Sequence, residues 1–330
     1  MIVSLVLFQQ ALIVAAIAAI AAAVFSQLFF PLIQNKVKLF PARFQANIIL
    51  FVCSLPSLAV LAALLVSFLP SLLHYLGFGP EHCGAYTSSH SHLCSVHPPL
   101  PITHWLTWLS TMFLVVLIIC VLVLIRGFIF SHGFGRRFAQ NDKTVLRRNV
   151  WLVKSNIPFV FATGLIRTRI IISTALEKHL SKRQINIVLT HEEEHKKYHD
   201  VLRQLIARTV SLLHFPPMRK RLLSQLSLAT EKACDEAAVL CAGSRVEVAE
   251  TLLTIERLYR GNFNRTESVA LGVVGNTVVD RVESLLQDTT QQPFHPSWLL
   301  FGLAAIVAIV AVTNNQIHFL IERLLDIITH

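Results

Sequence analysis

Long apolar stretches dominate the pattern of this chain. Four of them, at roughly 4–30, 47–73, 105–130 and 297–314, carry ALIVAAIAAIAAAVF, ILFVCSLPSLAVLAALLVSFL, WLTWLSTMFLVVLIICVLVLI and WLLFGLAAIVAIVAV. A helix crosses the hydrocarbon of a bilayer with about 20 mostly apolar residues. Runs of this length predict four transmembrane helices rather than buried helices of a soluble core. Pro56 and Pro70 fall inside the second run, where neighbouring helices can satisfy the backbone groups that proline frees. Trp105, Trp108 and Trp298 lie near run ends, the interfacial position that amphipathic rings favour.

Between the third and fourth runs the pattern becomes mixed. Ser181 and Gln184 have the spacing of a capping box, which starts a helix. Apolar Ile185, Ile187, Val188 and Leu189 follow, and no Gly or Pro interrupts until Pro216. A later helix is predicted over roughly 218–242, opened after Pro216-Pro217 and closed by Gly243. LIRTRIIIS, at 165–173, is rich in β-branched residues and reads as a strand. Beyond the fourth run, Ile317, Leu320, Ile321, Leu324 and Leu325 space out an amphipathic helix suited to the outer membrane face.

Composition fits a membrane protein: 54% of residues are hydrophobic and 15% charged, with a mean hydropathy of +0.59. Disorder and a simple cytosolic enzyme are excluded. The formal charge of +10 is informative through its location. Of 29 Lys and Arg residues, 25 fall within 126–296, three (Lys36, Lys38, Arg43) lie between the first two runs, and the loop 71–104 has none. Positive charge marks the cytoplasmic side, so the N-terminus, the 71–104 loop and the tail are expected outside. The lack of positive charge before the first run argues against a cleaved signal peptide. The basic 126–296 segment suits a surface beside anionic lipid; without a recognition motif, direct nucleic-acid binding is not expected.

The chemistry centres on His191-Glu192-Glu193-Glu194-His195. Residues four apart share a helical face, so His191 and His195 can offer two imidazoles to one Zn2+. Glu192 stands where a general base for an attacking water is needed, which is the logic of H-E-x-x-H. A catalytic zinc takes three protein ligands. His199 lies about 12 Å along the helix from His191 and is assigned beside the site or on the surface. Glu231 is the better third ligand, with Asp235 one turn on to hold the outer nitrogen of a ligand histidine. The alternative for this pair is a solvated acidic helix face.

GLIRTRIIIS, SKRQINIVLTHEEEHKKYHD, HFPPMRKR and ATEKACDEAAV resemble the zinc domain of the BlaR/MecR antirepressor metallopeptidases, integral membrane gluzincins. The resemblance implies one zinc held by His191, His195 and Glu231, catalysis by Glu192, and a structural or supporting role for Asp200. It implies a mainly α, integral membrane fold. Four transmembrane helices would carry a cytoplasmic α+β zincin-like domain inserted between spans 3 and 4. The expected layout is three spans with the outer loop in 1–130, the peptidase in 131–296, the fourth span in 297–314 and the tail in 315–330. By analogy with related zinc peptidases, Gly164, Leu165, Ile166, Arg167, Thr168, Arg169 and Ile170 through Ile172 form an edge strand that takes substrate by strand addition; an ordinary core strand is the alternative. Two departures stand out. Only a short tail follows the fourth run, so a penicillin-binding sensor domain is not expected. Glu193 and Glu194 also stand where relatives usually have small or apolar residues, either adding charge near the metal or facing solvent.

In the outer loop Cys83 and Cys94 are candidates for a disulfide. His82, His90, His92 and His97 offer a candidate sensor, by metal binding or by titration, against the plain reading of a polar loop. The expected function is regulated proteolysis in a bacterial inner membrane, with a cytosolic transcriptional repressor as the protein substrate. Rivals are quality-control proteolysis of membrane proteins and a non-catalytic receptor with a structural zinc site. A homo-oligomer is left open.

Overall fold

The computed structural model describes residues 2–76, 104–139, 143–147, 150–165, 168–262 and 278–287. The expected fourth span, the tail, Ile166, Arg167, and the outer loop with Cys83, Cys94, His82, His90, His92 and His97 lie outside these residues.

Three long helices come first: α1 (Ile2–Val37), α2 (Ala42–Tyr75) and α3 (His104–Ala139). Their segments Val6–Val37, Ala42–Phe68 and Leu106–Ser131 are long and apolar enough to cross a membrane. Leu32, Leu61, Met112 and Ile129 are exposed on them, as a lipid-facing surface requires. Small residues let the helices approach: Ala15, Ala16 and Ala19 of α1 pack with Phe113 of α3.

A four-stranded sheet follows, built from β1 (Lys143–Arg147), β2 (Val150–Val153), β3 (Val160–Thr163) and β4 (Arg169–Ser173) in the order β1-β2-β4-β3. β2 and β4 run parallel, and the other pairs are antiparallel. The sequence expectation is corrected at this point. β4 is paired on both sides, so Arg169 to Ile172 form a central strand and cannot accept an added one. Gly164, with φ 100°, and Thr168, whose hydroxyl donates to the Gly164 carbonyl, belong to the turn leading into β4. The edges among the described strands are β1 and β3.

After α4 (Thr174–His179) comes α5 (Lys182–Lys197), which opens with both halves of the Ser181–Gln184 capping box. Its Val188 and Leu189 pack against Ile170 and Ile172 of the sheet, while Ile187 meets Ala238, Val248 and Ala249. The helix does not continue to Pro216. It stops at Tyr198, and His199 adopts a left-handed conformation with φ 52°, uncommon for a residue with a side chain. The chain then turns into α6 (Asp200–Val210), a short 3₁₀ turn at Ser211–Leu213, and α7 (Pro216–Ala242). α7 begins with Pro at its first positions and ends at Gly243, left-handed with φ 71°, as the sequence predicts. α8 (Arg245–Asn262) and a short helix α9 over 278–286 complete the described fold.

The α6–α7 hairpin does not stay with the sheet. Met218, Leu222, Leu226 and Ala229 of α7 share one core with Phe30 of α1 and Ala46, Ile49, Val52 and Cys53 of α2. Leu213 reaches into the cluster formed by α1 and α3. His214, at the tip, is bonded through Nε2 to the Val52 carbonyl at 3.1 Å. On α3, a Cβ added to Gly127 would meet Leu205 of α6 at 2.3 Å, so these two helices touch closely. The helix predicted from HEEEH onward is therefore two helices, the second wedged among the membrane-type helices.

Candidate metal centre

α5 and α7 cross so that HEEEH faces Glu231. The His191 and His195 Nε2 atoms are 3.2 Å apart. Glu231 Oε2 lies 3.4 Å from His191 Nε2, and its Oε1 lies 3.6 Å from His195 Nε2. Ligands bound about 2.0–2.1 Å from a tetrahedral zinc stand about 3.4 Å from one another. The two imidazoles and the carboxylate thus occupy three corners of such a tetrahedron, and the residues fit the ion.

Each imidazole is held from behind. His191 Nδ1 lies 3.1 Å from Asp235 Oδ1, and His195 Nδ1 lies 3.0 Å from Asp200 Oδ2. A carboxylate on the outer nitrogen fixes the ring and its tautomer. Each carboxylate is in turn gripped by an arginine. Arg281 of α9 donates to both Asp235 oxygens at 2.6 and 2.8 Å and lies 3.0 Å from Glu231. Arg43 of α2 donates to both Asp200 oxygens at 2.8 and 3.1 Å. The carboxylates of Glu192, Glu231, Asp200 and Asp235 outnumber the guanidinium groups of Arg43, Arg203 and Arg281, an excess that suits a cation. Without an ion, His191 is raised to about 10: burial disfavours its charge, but Asp235 and Glu231 outweigh burial. Burial likewise opposes ionisation of Glu231, yet His191 and Arg281 hold its carboxyl well below the ordinary range.

Cys234 complicates the donor set, since His191, His195 and Cys234 offer atoms within 4.8 Å of one another. Its Sγ lies 3.4 Å from His195 Nδ1 and 3.9 Å from Asp200, behind the ring rather than at the Nε2 convergence. Burial, with the Glu231 and Asp200 carboxylates, pushes its thiol pKa up, which disfavours the thiolate that a metal needs. Glu231, not Cys234, stands at the third corner facing both Nε2 atoms.

Glu192 is buried and lines the cleft above the histidines. This cleft, about 460 Å³, is also bordered by Val160, Phe161 and Ala162 of β3 and by Tyr259 of α8. Burial pushes the Tyr259 phenol up to about 12, against a hydrogen bond with the Val160 backbone, so it is a proton donor at neutral pH. Glu193 is exposed, whereas Glu194 is largely covered and lies 3.3 Å from Lys197 and 3.9 Å from Arg43. Of the two readings for His199, the surface one fits: it is exposed in the turn after α5. The break in the helix swings Asp200, not His199, back to His195.

Arg43, Arg281, Tyr259 and β3 were not identified from sequence. Arg43 reads there as a topology-setting charge, and nothing near Arg281 marks it. The short apolar run Phe159-Val160-Phe161-Ala162 before β4 was the available signal for β3.

A paired-histidine and glutamate site beside membrane-type helices defines a membrane metallopeptidase. Residues 88–285 match the model of the BlaR1 peptidase M56 family, and the chain belongs to that family. Comparison with curated proteins and with solved structures finds no match.

Proposed function

We propose that this chain is an integral membrane zinc endopeptidase of regulated proteolysis or signal transduction, with its site on the cytoplasmic side of a bacterial inner membrane and a cytosolic transcriptional repressor as substrate. The proposed layout keeps the fourth span at 297–314. The observation that carries the peptidase reading is the tetrahedral spacing of His191, His195 and Glu231 beside Glu192. When bound, the metal supplies a Lewis acid and acidifies water. Glu192 takes the proton of the attacking water and passes it to the leaving amine. Tyr259 donates a hydrogen bond to the developing oxyanion. The free edge of β3 aligns an extended substrate by backbone hydrogen bonds. Glu192→Gln should leave zinc bound and abolish cleavage; signalling that survives the change would favour a non-catalytic receptor.

One observation favours membrane-protein substrates as a second reading. The cleft extends along Val201, Gln204 and Arg208 of α6, the helix wedged among the spans. Proteomics comparing the native protein with Glu192→Gln separates the two: one accumulated regulator supports the first, many membrane proteins the second.

A further inference from the structure

Among the described residues, Arg43 is the side chain of the first two spans that bonds a partner of the metal-centre histidines. Lys36 and Lys38, which share the short inter-span segment with Arg43, are exposed as topology requires. Arg43 instead turns inward with 16% of its side chain exposed. Its guanidinium grips Asp200 with two hydrogen bonds, stacks 4.0 Å from the Tyr198 ring centroid and lies 3.8 Å from Cys234 Sγ. Asp200 is the residue that orients His195. One turn further along α2, Asn47 accepts a hydrogen bond from Arg203 of α6, so the same face of α2 is tied twice to the start of α6. Between α6 and the HEEEH helix lies the left-handed His199, where the chain bends.

We infer that Arg43 is a positioning residue through which the first two spans set the geometry and metal affinity of His195, so that a displacement of α2 tunes the peptidase. The inference rests on His191, His195 and Glu231 being the metal ligands. One guanidinium nitrogen bridges both Asp200 oxygens while another faces Cys234 and Glu194, a spread of donors that a lysine ammonium does not reproduce. A rotation or slide of α2 carries the guanidinium off Asp200, and the outer nitrogen of His195 loses its charge-balanced partner. Losing such a partner typically costs 10–100-fold in metal affinity or activity.

The test uses the full chain in detergent or nanodiscs, with zinc affinity from chelator competition and the visible spectrum of the cobalt(II)-loaded protein. Arg43→Gln should weaken zinc binding by about 10–100-fold and shift the cobalt bands, while Lys38→Gln changes neither. Arg43→Lys should recover part of the affinity. In a double-mutant cycle, Arg43→Gln with Asp200→Asn should be little worse than either alone, because both act on one contact. Wild-type affinity in Arg43→Gln, or effects that multiply in the double variant, would overturn the inference. Should the glutamine variant fail to fold, wild-type affinity and spectrum in Arg43→Lys overturn it equally. A native protein that binds no zinc removes the metal reading itself, whereas zinc binding indifferent to residue 43 removes only this inference.

Discussion

His191 and His195 are backed by the same sequence of groups, imidazole to carboxylate to guanidinium, through Asp235–Arg281 and Asp200–Arg43. Removing Arg281 leaves Asp235 and Glu231 without their buried counter-charge, so Arg281→Met should weaken zinc binding by at least tenfold, measured by chelator competition. Tyr259→Phe should reduce peptide cleavage by roughly ten- to a thousandfold and leave zinc affinity unchanged, since the phenol lies in the cleft. The metal-free protein should also show a signature with pH. The raised His191 stabilises the fold fully below its ordinary 6.5, and that contribution is lost as pH climbs through about 10. The melting temperature after chelation should therefore fall across this window. The zinc-loaded protein should not follow, because the ion replaces the proton. Asp235 and Asp200 were legible from spacing and resemblance, being close in sequence to the ligands they serve. Their arginines come from residues 43 and 281, and no local pattern announces a partner so far away.

The elements were legible where local chemistry decides them. The Ser181–Gln184 box starts α5, and Pro216-Pro217 and Gly243 bound α7. Gly243 sits at positive φ with open space around a virtual Cβ. Gly243→Ala should thus cost about 1 kcal/mol in thermal or denaturant unfolding, from backbone strain alone. The break after α5 had no Gly or Pro to signal it; the side-chain tie between His195 and Asp200 spans it. His199 bears that strain without touching the site. His199→Gly should leave zinc affinity intact and hold or raise the melting temperature; a loss of zinc would return His199 to the metal centre. The strand at 169–173 was legible from its β-branched residues, but its central place was not. Pairing order depends on partners distant along the chain, and here β3 takes the edge beside the cleft.

At the scale of the molecule, charge bookkeeping separates spans from peptidase, but packing joins them. Met218, Leu222, Leu226 and Ala229 look like the buried face of an ordinary amphipathic helix, and the sequence does not say that α1 and α2 supply the other half of that core. A fragment covering 131–296 alone would bare this face and lack Arg43. It should aggregate on size exclusion and bind zinc more weakly than the full chain, whereas a monodisperse fragment with native affinity would contradict the shared core. The order of synthesis acquires meaning from the same arrangement. The parts of the metal centre run from residue 43 to residue 281, so the ribosome must make most of the chain before the last of them emerges. A chain cut short before residue 281 lacks the arginine that pairs with Asp235 and Glu231, so the centre is complete only long after the first helices have been made.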